Sequence, residues 1–254
     1  MKAYGYGYSP IFRRVGSIDT QAQAFITAAG ITDPTQQAAI INLVSSLKTA
    51  GIFSKLLSLY PFVGGNATAH SYNLINVANF QLTFNGGWTH NASGAQPNGV
   101  NGWGATALIP NTHISGAYYE SSYHDNTTST YNGANGTAMA LSYIDGTDHR
   151  LSFSNGGAAL NVTGAPNNGF HQMQRGGGTD TMQVNAIRVT RSGTLVVNCA
   201  NELAIGAINN GASRSDYNSR VYKLRAYGTT ALSTTELDNF NTAVQAYETA
   251  LSRA

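Results

Sequence analysis

The acids, histidines and aromatics are the residues of this chain that could do chemistry, and their spacing limits which chemistry to expect. Glycan hydrolysis on a β scaffold needs two or three carboxylates together on one strand, one held protonated and one ionised. Two side chains reach the same face of a strand when they stand at i and i+2. Glu120, Asp125, Asp145, Asp148, Asp180, Glu202 and Asp216 are not paired at that spacing, and the Glu-x-Asp-x-x-Glu pattern is missing. A hydrolase is therefore the weakest of the enzyme and binding readings. The histidines at 70, 90, 113, 124, 149 and 171 show neither His-x-x-x-His nor facial-triad spacing, so no metal centre is expected. Asp145-Gly-Thr-Asp148 and His124-Asp-Asn126 could offer oxygen ligands to calcium. Asp-Gly is equally a hairpin turn, which is the preferred reading; no cofactor is expected, with calcium as the weak exception. Arg175-Gly-Gly-Gly-Thr179 lacks the lysine and the strand-to-helix setting of a phosphate loop and reads as a turn.

Carbohydrate binding asks less of the residues. A sugar ring stacks on an exposed aromatic while amides, carboxylates and guanidinium groups bond its hydroxyls, and no shifted pKa is needed. The candidates for such a site are Trp103, Tyr123, His124, Asp125, Asn126 and Tyr131. Trp88 and Tyr118 fit a core role as well. The polar segment from His124 to Asn135 is expected at the surface.

Those side chains must be positioned by β structure. Asp19 and Asp33-Pro34 start two short helices that stop at Gly30 and Gly51, and a third helical turn is expected over Phe53 to Leu59, before Pro61. Beyond Gly65 the apolar period changes from helical to two. Short runs such as Phe80–Phe84, Thr137–Ile144, Met182–Val189 and Val221–Tyr227 alternate with Asn-Gly and Asp-Gly turns. The expectation is mainly β: an antiparallel jelly-roll β-sandwich with short N-terminal helices and a C-terminal amphipathic helix. In that last helix Leu237, Phe240, Val244, Tyr247 and Leu251 share one face, and Ser233 with Glu236 forms a capping box at its start. The expected divisions are an N-terminal arm over 1–16, a helical lead over 17–65, the jelly roll over 66–231 and the closing helix over 232–254.

Charged residues make up 10% of the 254 and the formal net charge is +2. No basic stripe invites nucleic acid, and no run is long and apolar enough to span a bilayer. The single cysteine, Cys199, sits in a strand-like run and is expected to be a buried hydrophobe. Tyr4, Tyr6, Tyr8, Phe12, Arg13 and Arg14 of the arm could bury aromatic area on a neighbour and bond its carboxylates.

Three blocks stand in a fixed order: Ala22 to Ile52 continuing to Leu59-Tyr-Pro-Phe-Val-Gly-Gly65, Phe84-Asn-Gly-Gly-Trp-Thr-His-Asn-Ala-Ser-Gly-Ala-Gln-Pro-Asn-Gly99, and Thr234 to Arg253. Together they resemble tailed-bacteriophage virion proteins carrying a concanavalin A-like (laminin-G-like) jelly-roll domain. Ala226 to Leu232 departs from that pattern in lacking a Gly-Asp-Gly-like turn. The resemblance implies a non-enzymatic structural protein located in the virion (capsid decoration, head fibre or tail), with other virion proteins as partners and a homo-oligomeric assembly. The alternative is a host-surface glycan-binding adhesin, followed by a glycan hydrolase.

Overall fold

Side-chain caps set the helix starts. In the computed structural model, which describes residues 18–114, 116–125, 130–134, 141–145, 148–152, 160–163, 166, 168–193 and 199–254, Asp19 accepts from the Gln21 and Ala22 amides at the head of α1 (Thr20–Ala28). Asp33 accepts from the Gln36 amide at the head of α2 (Pro34–Thr49), where Pro34 fills a first-turn position that needs no donor. The helical turn expected over Phe53 to Leu59 gives way to one 3-10 turn, Phe53–Lys55, and then a strand, β1 (Leu56–Tyr60). Pairing with the last strand of the chain overrides local preference there: Leu59 lies opposite Ala226 and Tyr60 opposite Arg225.

Next come α3 (Ala67–Ser71), β2 (Thr83–Asn85), β3 (Trp88–Asn91), β4 (Gly94–Pro97), β5 (Trp103–Ala105), α4 (Pro110–His113) and β6 (Tyr118–Asp125). The middle of the chain supplies β7 (Thr130–Ala134), β8 (Leu141–Asp145), β9 (Asp148–Ser152) and β10 (Leu160–Thr163). β11 (Gly169–Gly176), β12 (Thr179–Val184), β13 (Ile187–Ser192), β14 (Ala204–Ile205), β15 (Ile208–Asn209), β16 (Arg214–Ser215), β17 (Val221–Gly228) and α5 (Thr234–Ala250) complete it. The run Met182–Val189 divides into two strands because Asn185, at φ 50°, turns the chain so that Val184 meets Ile187. Asp145 likewise pairs with Asp148 across the β8–β9 hairpin.

The strands form a mainly antiparallel jelly-roll β-sandwich. One sheet runs β13-β12-β11-β6-β17-β4-β3, with β1 also on β17; the other runs β10-β9-β8-β7-β14-β5-β2, with β15 and β16 attached. Helices cover the outer face of the first sheet. Phe240 of α5 stacks on Tyr119 at 5.9 Å and meets Phe170 edge-on at 5.2 Å. Leu43, Val44 and Leu47 of α2 join the same cluster. β11 alternates Phe170 with Gln172 and Gln174 on this covered face, and both glutamines donate to the chain above: Gln172 to the Leu237 carbonyl, Gln174 to that of Leu232. Those two bonds explain how so polar a strand is buried on both sides. The capping box is closed, with the Ser233 amide donating to Glu236 at 2.8 Å and the Glu236 amide to Ser233 at 3.3 Å.

Between the sheets, an apolar cluster of Tyr60, Leu82, Tyr118, Met173, Met182, Ile205 and Tyr222 surrounds charged pairs. The Tyr118 hydroxyl donates to Glu120, Arg225 Nη2 stands 3.2 Å from the same carboxylate, and Arg225 Nε donates to the Tyr227 hydroxyl at 3.0 Å. All four residues are fully buried. Asp180 takes a fork from Arg175 at 2.5 and 2.7 Å and a bond from Arg191 at 2.9 Å.

Two expectations follow. Arg225→Met strands the Glu120 carboxylate without its cation and should lower stability by about 3–5 kcal/mol, read from the urea midpoint, while adding Glu120→Gln should return part of the loss. Burial opposes ionisation of Asp180, yet the bonds from Arg175 and Arg191 outweigh it and hold the carboxyl below its ordinary value. Its unfolded form therefore takes up a proton first as pH falls. The stability it confers is full above the unfolded value of about 3.9 and disappears as pH drops through the folded one. Asp180→Asn should flatten that acid limb in pH-dependent denaturation.

Candidate functional site

Strand alternation separates the residues that the sequence grouped. Along β6, Tyr118, Glu120, Ser122 and His124 point between the sheets, while Tyr119 and Tyr123 point into the helix-covered side. His124, expected at the surface, is 2% exposed and sits against Arg220, whose Nη1 is 2.7 Å from its Nε2, and against Ser122 at 3.1 Å. Tyr123 is buried too, with Lys223 Nζ 5.4 Å from its ring centre. The expected surface segment does not begin at His124, because β6 continues to Asp125. That residue is half exposed and paired with Lys223 at 2.8 Å. Asn126 and the arm residues Tyr4, Tyr6, Tyr8, Phe12, Arg13 and Arg14 lie outside the described residues, as does the side chain of Tyr131 in β7.

Lys223 also donates to the carbonyl of Arg253, whose guanidinium holds Glu248 through Nε at 2.9 Å and Nη2 at 3.0 Å. Arg253 reaches the Phe62 carbonyl as well. Burial pushes the Glu248 carboxyl up despite this fork. The group closes the end of α5 onto the sandwich and is shut off from solvent, apart from Asp125.

Trp103 is differently placed. On β5 the Cβ position of Gly104 looks at the Trp88 ring, 3.8 Å away, so Gly104 faces inward and Trp103 faces out of the second sheet. Asn85 pairs with Trp103 and Thr83 with Ala105, which puts these side chains on the same outer face. The Trp103 indole is half-buried, and the Arg214 guanidinium lies 4.1 Å from its ring centre. Arg214 is fixed by its Nη1 bonds to the Gly211 and Ser213 carbonyls, with Glu202 Oε1 3.8 Å from Nη2. Such stacking holds a guanidinium flat against the ring.

The rim beside Trp103 comes from the loop joining β4 to β5. Asn98 Oδ1 accepts from the amides of Val100, Asn101 and Gly102, and Asn101 Oδ1 accepts from the Gly87 amide and the Asn98 side chain. Asn98 and Asn101 are exposed. Gly86 is required here: at φ 69° its missing Cβ would lie 2.0 Å from the Asn101 carbonyl oxygen. The sequence pointed to Trp103 but not to Arg214, Asn85 or Asn98. The density of Asn-Gly pairs around residues 85–102 was the available signal.

No protein-family model and no curated protein sequence matches the chain. Solved structures do. The chain is similar in fold to sialidases. A mutant of Trypanosoma rangeli sialidase displaying trans-sialidase activity is 10% identical, with a TM-score of 0.54, over 83% of this chain and 39% of that one. Trypanosoma rangeli sialidase in complex with sialic acid is 11% identical, with a TM-score of 0.52, over 82% and 39%. This chain thus spans about two fifths of the length of those proteins. The expectation of a non-enzymatic structural protein of a bacteriophage virion is corrected by this finding: the solved structures that share the fold are sialidases. At such identity the likeness shows the fold alone; neither an activity nor its lack follows from it.

Gly86→Ala should cost more than about 1 kcal/mol, because the left-handed backbone and the Asn101 carbonyl both oppose the added methyl. Thermal denaturation measures the loss, and Trp103 emission should shift as the rim moves.

Proposed function

We propose that this chain is a glycan-recognition β-sandwich domain whose site is the outer face of the second sheet around Trp103. One observation carries the reading: a half-buried indole stacked against a fixed guanidinium and bordered by exposed asparagines, on a sheet face turned away from α2 and α5. The apolar face of a sugar ring packs on an indole, and the Asn101 amide NH2 is a donor for a hydroxyl at the rim. Site and scaffold are rigid, so little ordering entropy opposes binding. The shared fold with sialidases, one of them solved with sialic acid, makes sialylated oligosaccharides the first ligands to try.

Glycan cleavage is a second reading, favoured by those same relatives. Glu202, 3.8 Å from Arg214 and partly exposed, is the acid to test for that work.

On a glycan array the wild-type chain should bind a defined set of oligosaccharides, and Trp103→Ala should weaken that binding by at least about tenfold, equivalent to about 1.4 kcal/mol. Retention of wild-type binding by Trp103→Ala would reject the site. Release of free sugar from the bound glycans, lost in Glu202→Gln, would move cleavage ahead of recognition.

A further inference from the structure

Away from Trp103, two histidines far apart in sequence meet. His70 belongs to α3 and His90 to β3, and their Nδ1 atoms share a hydrogen bond at 3.0 Å. His70 is 1% exposed and His90 half-buried. Aromatic rings wall the pair: Phe62 lies edge-on to His70 at 5.8 Å, Phe84 edge-on to His90 at 4.5 Å, and Trp88 is stacked on His90 at 5.9 Å. Burial, then the neighbouring His90 and Arg253, lowers the His70 pKa to about 3, and burial also lowers that of His90. Both rings are therefore neutral at neutral pH, and each has one nitrogen lone pair.

Two imidazole nitrogens bound to one ion at about 2.0–2.1 Å are separated by about 2.9–3.4 Å for bond angles of about 90–110°. The observed separation falls in that interval. We propose that His70 and His90 chelate one divalent transition-metal ion, copper or zinc, through their Nδ1 atoms, tying α3 to the β3–β4 hairpin.

The ion replaces the Nδ1–Nδ1 hydrogen bond: the donor ring's proton moves from Nδ1 to its Nε2, so each ring keeps one proton, no net proton is released, and both Nδ1 lone pairs go to the ion. The charge of Arg253, the cation acting on His70, is matched by its fork to Glu248. Among the described residues no third His, Cys, Asp or Glu completes the set, so water supplies the remaining positions. His70 Nε2 is buried without a partner. Ligating histidines usually donate from that second nitrogen, and its lack of an acceptor holds the affinity down.

Trp88 provides the readout. In a Trp103→Phe chain it is the sole tryptophan, and a copper(II) ion held by His90 lies close enough to quench it. Titration with copper(II) chloride at neutral pH should give saturable quenching at one ion per chain, reversed by excess zinc(II). His90→Gln, a change at a half-exposed ring, should weaken the effect by at least about tenfold. His70→Gln should do the same, with circular dichroism confirming that the chain is folded. Absence of saturable quenching, or quenching of equal strength in folded His90→Gln, would overturn the proposal.

Discussion

The packing of α5 and α2 on the outer face of the first sheet is the contact on which the rest of the structure depends. A β-sandwich has two outer faces, and here one is sealed by Phe240, Val244, Leu237 and Tyr247 above and Tyr119, Tyr123 and Phe170 below. Each such side chain contributes roughly 1.5–3 kcal/mol when fully buried. With that face closed, strands β6, β11 and β17 are buried on both sides. Their polar residues must then find partners inside the protein rather than in water.

The interior answers that demand with charged networks. Glu120 with Arg225, Asp180 with Arg175 and Arg191, and Glu248 with Arg253 are ion pairs holding a buried carboxylate. Their net contribution to stability is small when the pair is intact and large when one partner is removed. They also restrict which strand register is tolerated, since a shift by one residue would turn Glu120 and Arg225 from the interior toward the helices. Acids that might suggest hydrolytic chemistry are thereby occupied in structural work, and Glu120 and Asp180 are out of reach of any ligand in solution.

The second sheet turns its outer face away from those helices. Its outer face carries Trp103, backed by Arg214 and edged by a loop that glycine and asparagine hold in one shape. The indole is thus presented by strand and loop together rather than by a long mobile segment. The fold shared with sialidases specifies neither an activity nor a sugar, because both reside in side chains that differ at about 10% identity.

Several elements could be read from the residues alone because their causes are local. Asp19, Asp33-Pro34 and the Ser233 to Glu236 box fix helix starts through bonds spanning two or three residues, and the stripe from Leu237 to Tyr247 needs only helical periodicity. Alternation between Asn-Gly turns was enough for a sandwich. The polar strand Phe170 to Arg175 gave no such signal, since its burial rests on the carbonyls of Leu232 and Leu237, some 60 positions later. Leu56 to Tyr60 read as a helical turn for the same reason: its strand exists through its pairing with Ala226 and Arg225. Among the site residues, the sequence selected Trp103, Tyr123, His124 and Asp125 by type, but exposure depends on which face a strand turns outward and on what covers that face. Only the tertiary structure could bury Tyr123 beneath the helices, turn His124 between the sheets and set Arg214, 111 positions on from Trp103, against a half-buried indole.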